Sequence, residues 1–408
     1  MTTSAISDQV TPSRAGAWGA VYALTLCVAT LIASEFMPVS LLTPIAADLR
    51  MTEGGAGQAI AVSGIFAVLT SLSISSVTRG VDRRIVLLAL TVLMMVSGLM
   101  VSLAPNTMVF MAGRALVGVV IGGFWSMSAA VVMRLVPEDQ VPRGLGMLNG
   151  GNAVATTVAA PLGSFLGQYI GWRGAFFCVV PLAAVTFAWL FVSLPSMPSE
   201  RKSQGTVFRV LRRPYVPFGM AAVALFFMGQ FVLYTYLRPF LETITRVDVS
   251  TLSLLLLVVG AAGVLGTWLI GLLLKARLYS LLIVMPLVMA AIAVALIPAG
   301  GSLTAVAVLL ASWGLIATAA PVGWWTWLSK VLPDDAEAGG GLMVAVIQLA
   351  ISIDATAGGF VYDLSGYRST FTFSAVVLCA SALVAALGAW RQLRQRSRQT
   401  TTTTRRAM

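Results

Sequence analysis

The chain has 408 residues, 58% of them hydrophobic and only 10% charged, with a formal charge of +11. Soluble domains carry about 25% charged residues, so this composition excludes a water-exposed globule and points to a bilayer as the solvent. The absence of histidine removes imidazole metal sites, Ser-His-Asp triads and HExxH zinc proteases together.

Apolar blocks of about twenty residues, long enough to span roughly 30 Å of hydrocarbon, recur along the whole chain. They predict twelve helices: 17–42, 55–78, 85–103, 107–134, 142–170, 173–194, 214–241, 250–274, 278–298, 302–330, 339–364 and 370–391. The first is too long for the core of a cleavable signal. The count needs breaks at Gly171-Trp172-Arg173 and at Lys275-Ala276-Arg277. The longest polar gap, 195–213, follows the sixth helix. It divides the chain into six-helix halves at 17–194 and 214–391, with tails at 1–16 and 392–408. The expected fold class is an all-α membrane protein of two six-helix halves, a layout of many secondary transporters. Cys27, Cys178 and Cys379 lie far apart inside apolar blocks and read as packing residues.

The cations alternate with the helices. One side collects Arg14, Arg79, Arg83, Arg84, Arg134, Arg143, Arg201, Lys202, Arg209, Arg212, Arg213, Lys275, Arg277, Lys330 and the six arginines from Arg391 onward. The other holds Arg50, Arg173, Arg246 and Arg368. Roughly twenty against four places both termini in the cytoplasm by the positive-inside rule. It also accounts for the basic charge without nucleic acid. These basic segments, with no disulfide pattern or cleavable signal, fit a bacterial inner membrane.

Ionisable groups at mid-membrane cost about 2.5–3.5 kcal/mol on insertion scales, so they mark function. Three stand out: Glu35, Arg114 and Asp354. Glu35 lies just before Pro38, which opens the first helix. It sits about ten residues, or roughly 15 Å, from the helix end, and Arg114 roughly 12 Å from the same side. The matched depth predicts a direct or water-bridged pair, able to alternate as a proton switch or to stand as a static ion pair. Asp354 reads equally as a second protonatable site or as a packing contact to a Ser or Thr.

Small residues recur on single faces: Gly118 and Gly122 with Arg114, then Pro161, Gly163, Gly167 and Gly171, then Gly260, Gly263 and Gly266. Such faces let helices approach closely. Asn149, Asn152 and Thr156 form one polar stripe and Gln230, Tyr234 and Arg238 another. A lipid-facing stripe of this kind is unfavourable, so both are expected to line a central cavity. Trp125, Trp324 and Trp325 add aromatic surface, for ligand or for packing. Aromatic planes beside amides suit a planar polar heterocycle. No Walker A glycine loop is present, so direct ATP drive is not expected.

These strings resemble the major facilitator superfamily in its drug:proton antiporter branch, over roughly residues 17–392. Glu35-Phe36-Met37-Pro38 through Pro44 with Asp48-Leu49, Arg114 with Gly118 and Gly122, and Pro161-Leu162-Gly163 carry the resemblance. Longer strings are similar to bacterial purine ribonucleoside exporters: Gly122-Gly123-Phe124-Trp125-Ser126-Met127, Gly171-Trp172-Arg173, Pro321-Val322-Gly323-Trp324, and Val344 to Ala350 with Gln348. The resemblance implies a monomeric, cofactor-free carrier, not an enzyme. It would exchange purine ribonucleosides such as inosine and guanosine for protons by alternating access; a drug or sugar exporter of the same fold is the alternative. Glu35 and Arg114 would handle protons; Asp354, which falls where such proteins more often carry a small or neutral residue, stands as a further proton-coupling candidate. Phe36, Trp125, Asn149, Asn152, Gln230, Tyr234, Trp324 and Gln348 would meet substrate, and Asp82 and Arg83 would form a conformational loop. Pro38, Gly118, Gly122, Pro161 and Gly163 would serve hinges or packing. The loop departs from the family pattern, with Thr78 in place of its leading glycine.

Overall fold

The computed structural model describes residues 17–198, 210–213, 215–332 and 336–406. The expected tail 1–16, the linker cations Arg201, Lys202 and Arg209, and the side chains of the 392–408 tail lie outside the described residues.

Among the described residues every regular element is helical. In chain order they are α1 (Trp18–Ser40), α2 (Leu42–Leu49), α3 (Glu53–Val77), α4 (Arg83–Ser102), α5 (Thr107–Leu135) and α6 (Val141–Phe177). Then come α7 (Val179–Ser193), α8 (Val216–Thr235), α9 (Val249–Ala299), α10 (Leu303–Val331) and α11 (Ala336–Arg406). Two stretches, 51 and 53 residues long, are twice what one crossing needs. They bend at Gly171 and Gly366, while α9 bends at Arg277. The result is twelve transmembrane helices in two halves of six. The expected breaks near 171–173 and 275–277 are both present.

Polar caps start the helices where the sequence supplies them. Asp82, Asn106, Asp248 and Ser302 each accept a backbone N–H in the first turn of α4, α5, α9 and α10. The expected first helix, 17–42, instead stops at Ser40 and restarts as α2, because Leu41 leaves helical geometry three residues after Pro38. The expected seventh helix, 214–241, ends at Thr235 and continues through a short helical turn (Leu237–Phe240) into a π-helical turn (Leu241–Thr245).

Two turns match between the halves. Gly171-Trp172-Arg173 and Gly366-Tyr367-Arg368 each join the last two crossings of their half, and each glycine has φ of 70°. A side chain at that φ is strained, which is why glycine stands there. In each, the arginine lies over the adjacent ring and the ring packs edge-on to a phenylalanine four residues on, Phe176 or Phe371. Gly171 is thus a turn residue and not part of the thin face expected with Gly163 and Gly167.

Packing follows the small residues. A Cβ on Gly118 would lie 2.2 Å from the Ser63 carbonyl oxygen, and one on Gly122 2.2 Å from that of Ala67, so α5 and α3 touch backbone to backbone. Gly163 meets Met37 and Ser40, which brings α6 against α1 just beyond the Pro161 position. One large apolar core fills the second half and another the first, with a third beside α2. The face where α1 begins and α11 runs out is called the tail face below, and the opposite one the far face.

Candidate functional site

Pro38 carries no N–H, so the Ser34 carbonyl four residues earlier loses its helical donor. Arg114 supplies the replacement. Its Nη1 donates to the Ser34 carbonyl at 2.7 Å and its Nη2 to the Glu35 carbonyl at 3.2 Å. Its Nε donates to the Ala59 carbonyl at 3.3 Å, and Nη2 also to Ser63 Oγ at 3.2 Å. The guanidinium is fully buried and ties α1, α3 and α5 together.

Of the two arrangements expected, the direct ion pair between the Glu35 carboxylate and Arg114 is not formed; no salt bridge joins them among the described residues. Arg114 is committed to the backbone around Pro38. Glu35 instead reaches across the molecule, where Gln348 Nε2 on α11 donates to its Oε1 at 3.1 Å. Both side chains are buried, at 8% exposure each. Phe36, the next residue, stacks on Phe231 of α8 with ring centroids 5.8 Å apart. The contacts that join the two halves at mid-membrane thus include one charged and one aromatic.

The other expected residues divide. Gln230 keeps a buried amide oxygen with no partner among the described residues, and Tyr234 lies edge-on to Phe231, so this part of α8 faces the junction. Arg238 does not continue the stripe. It pairs with Glu242 at 2.8 Å and donates to the Ser40 carbonyl, fastening the Leu237–Phe240 turn to the end of α1 toward the far face. Asn149 is exposed, with its amide on the Leu145 carbonyl; Asn152 is half-buried on the same helix. Trp125 is half-buried against the first half's core and edge-on to Phe124. Trp324 is 2% exposed, packed with Phe226 and Trp327 inside the second half, where it backs a small recess with Tyr215 and Tyr279; Trp325 is exposed. Asp354 is fully buried, and the Ser or Thr partner considered for it is not found among the described residues.

Asp82 and Arg83 stay within the first half. Asp82 caps α4 and accepts from Ser196 Oγ and from the Met197 N–H at 2.9 Å; Arg83 donates to Thr78 Oγ1 at 2.9 Å. Slight burial pushes the Asp82 carboxyl up, but these donors and the Arg84 charge outweigh it and hold it below the usual carboxylate range.

The far-face seam between α3 and α11 is closed, which no motif announced. Asp363 accepts from Thr52 Oγ1 at 2.6 Å and from the Gly54 N–H at 3.0 Å, and Thr356 donates to Gln58 at 3.1 Å. A second seam joins Gly260 of α9 to Thr157 of α6. Gly263 and Gly266 belong elsewhere, packed on α10.

Comparison with known proteins gives this geometry a family. A relative in Pseudomonas aeruginosa, named transcription regulatory protein OpdE, is 55% identical over 95% of this chain and 98% of its own length. The purine ribonucleoside efflux pump NepI of Salmonella enteritidis is 42% identical over 90% of this chain and 93% of its own. Among solved structures, a D-xylose-proton symporter superposes with a TM-score of 0.74 at 16% identity, over 90% of this chain and 97% of its own. A bacterial homologue of the lysosomal transporter Spinster, inward-facing and unoccupied, gives 0.72 at 15% identity, over 93% and 96%. The profile of the Major Facilitator Superfamily matches residues 23–353, and the chain belongs to that superfamily.

Proposed function

We propose that the chain is a proton-coupled exporter of purine ribonucleosides, working by alternating access in a bacterial inner membrane with both termini in the cytoplasm. The observation that carries this reading is the Glu35–Gln348 contact, a carboxylate of one half held by an amide of the other at mid-membrane. A proton on Glu35 removes the charge that the Gln348 amide solvates. The contact between halves then weakens, and the carrier can change the side to which it opens. Arg114 keeps the backbone around Pro38 in place while the carboxyl changes charge.

The substrate class follows from NepI's name and from the surroundings of Glu35. The Phe36–Phe231 slab offers a stacking surface, and Gln230 and Tyr234 offer amide and hydroxyl groups on the same stretch of α8. Asn149 and Asn152 would meet the ribose as the cavity opens. Protons and a small molecule are the partners of this reading; no nucleic acid or cofactor is required, and one copy of the chain suffices. The basic tail-face segments, Arg79, Arg83, Arg84, Arg134, Arg143 and Lys330 among them, support the orientation.

The test is radiolabelled inosine flux in proteoliposomes under an imposed pH gradient, wild type beside Glu35→Gln. Gradient-driven inosine movement that falls to background in the variant is the expected result. Full movement in the variant removes Glu35 from the coupling. Movement of a drug or sugar but not inosine keeps the exporter and discards the nucleoside. The regulatory name of the Pseudomonas relative favours a second reading, a membrane sensor that binds ligand without moving it. Saturable inosine binding with no flux of any substrate would select that one.

A further inference from the structure

Asp354 has no work to do in the Glu35 junction. It lies on α11 six residues beyond Gln348, on a different face from the side chains that meet α3. Its carboxyl is fully buried, and neither oxygen has a hydrogen-bond partner among the described residues. A Cβ placed on Gly358 would touch Asp354 Oδ1 at 3.4 Å, Tyr236 Cε2 at 3.3 Å and Val232 Cγ2 at 3.5 Å, which locates the carboxyl in a dry pocket between α11 and the end of α8.

Tyr236 closes that pocket. Its hydroxyl donates to the Ala355 carbonyl at 3.2 Å, and its ring stacks on Tyr362 at 4.9 Å. Gly57 of α3 and Gly359 of α11 leave just the room its hydroxyl takes, since a Cβ on either would lie 2.4 or 2.6 Å from Tyr236 Oη. The ring is therefore pinned by the same α3–α11 seam that Asp363, Thr52 and Gly54 seal. Around this lid stand Glu53 of α3, Tyr362 and Asp363 of α11, and Glu242 beyond α8, the last paired with Arg238. The second limb of α11 packs on α8 through Ser374, which donates to the Gly229 carbonyl. Tyr236, the residue just past the end of α8, is the titratable group on that side turned toward Asp354.

An ionised carboxylate without a donor costs far more to bury than the neutral acid. Asp354 thus holds a proton while the seam is closed. Parting α3 from α11 takes away the support at Gly57, frees the Tyr236 ring and lets far-face water reach the acid. We propose that Asp354 is a second proton-binding site, occluded beneath the Tyr236 lid in this conformation and loaded or emptied from the far face when the seam opens. Its role as a second coupled proton rests on the carrier reading above; its proton and its lid do not.

Infrared spectroscopy of the full chain, in vesicles of phosphatidylethanolamine and phosphatidylglycerol with no substrate, tests this directly. The wild type should show a protonated-carboxyl C=O band at neutral pH that Asp354→Asn lacks and Asp354→Glu shifts. Glu35→Gln should retain that band, which separates the two acids. Gly57→Trp, or the milder Gly57→Ala, wedges the lid, and the Asp354 band should then disappear at neutral pH. No band lost in Asp354→Asn would overturn the proton site, and a band indifferent to both wedges would overturn the lid. Neither result depends on inosine flux, so failure of the exporter reading remains separately visible.

Discussion

Arg114, on α5, spends its four hydrogen bonds on α1 and α3, and a single ammonium cannot reproduce them. Arg114→Lys has three donors for these four contacts and should lose at least one; losing the bond to the Ser34 carbonyl, which Pro38 already deprives of its helical donor, would cost about 1–3 kcal/mol. A clear drop in melting temperature in detergent is expected, even where the charge is kept. At Asp82 the arithmetic of pH runs the other way from a buried acid. Its folded carboxyl titrates below the ordinary value of about 3.9. The stability it contributes is present above that value and fades as pH falls through the folded one. Asp82→Asn should therefore flatten the acid limb of the stability curve below about pH 4, measured by melting from neutral to acid. Glu35 and Arg114 were legible in the sequence because a charge inside an apolar run is expensive. Their partners were not. Matched depth suggested a pair, whereas the proline-freed carbonyl claimed the guanidinium and a residue 313 positions away claimed the carboxylate.

At the scale of the element, hydropathy placed the crossings well because each must satisfy its backbone internally. It missed the break at Leu41, where the chain stays apolar and only the backbone changes, and the π turn at Leu241–Thr245, just past the expected end of the seventh helix. Among the glycines at regular spacing, Gly118 and Gly122 sit against the α3 backbone while Gly171 makes a turn; spacing alone cannot tell a contact from a turn. The contrast is testable. Gly122→Val would drive its side chain into the Ala67 backbone and part α5 from α3, so folded yield should fall sharply. Gly146→Ala, where nothing lies within 4 Å, should be neutral or stabilise by up to about 1 kcal/mol. Thermal stability of the two purified variants checks both.

For the whole molecule, the hydrogen bonds described between the halves run from the Glu35–Gln348 contact outward to the far face. Cysteines at Gly64 of α3 and Ser352 of α11, where a Cβ on Gly64 would stand 3.3 Å from the Ser352 Cβ, in a background with Cys27, Cys178 and Cys379 replaced, should form a disulfide that holds this seam shut. Transport should stop on oxidation and return on reduction, with binding from the tail side retained. Transport unchanged by the crosslink would mean that this seam does not need to open. The closed seam could not be read beforehand, because Asp363, Thr52 and Gly54 belong to segments with no shared motif.

The paired Gly-aromatic-Arg turns carry a message about ancestry. Two halves that end on the same three-residue signature, each with a phenylalanine at the same later step, are the imprint of one ancestral unit copied in tandem. Copies made in tandem with an even number of crossings keep the same orientation, related by an axis along the membrane normal. The two glycine turns therefore stand on the same far face, and each half is braced there by the same small device.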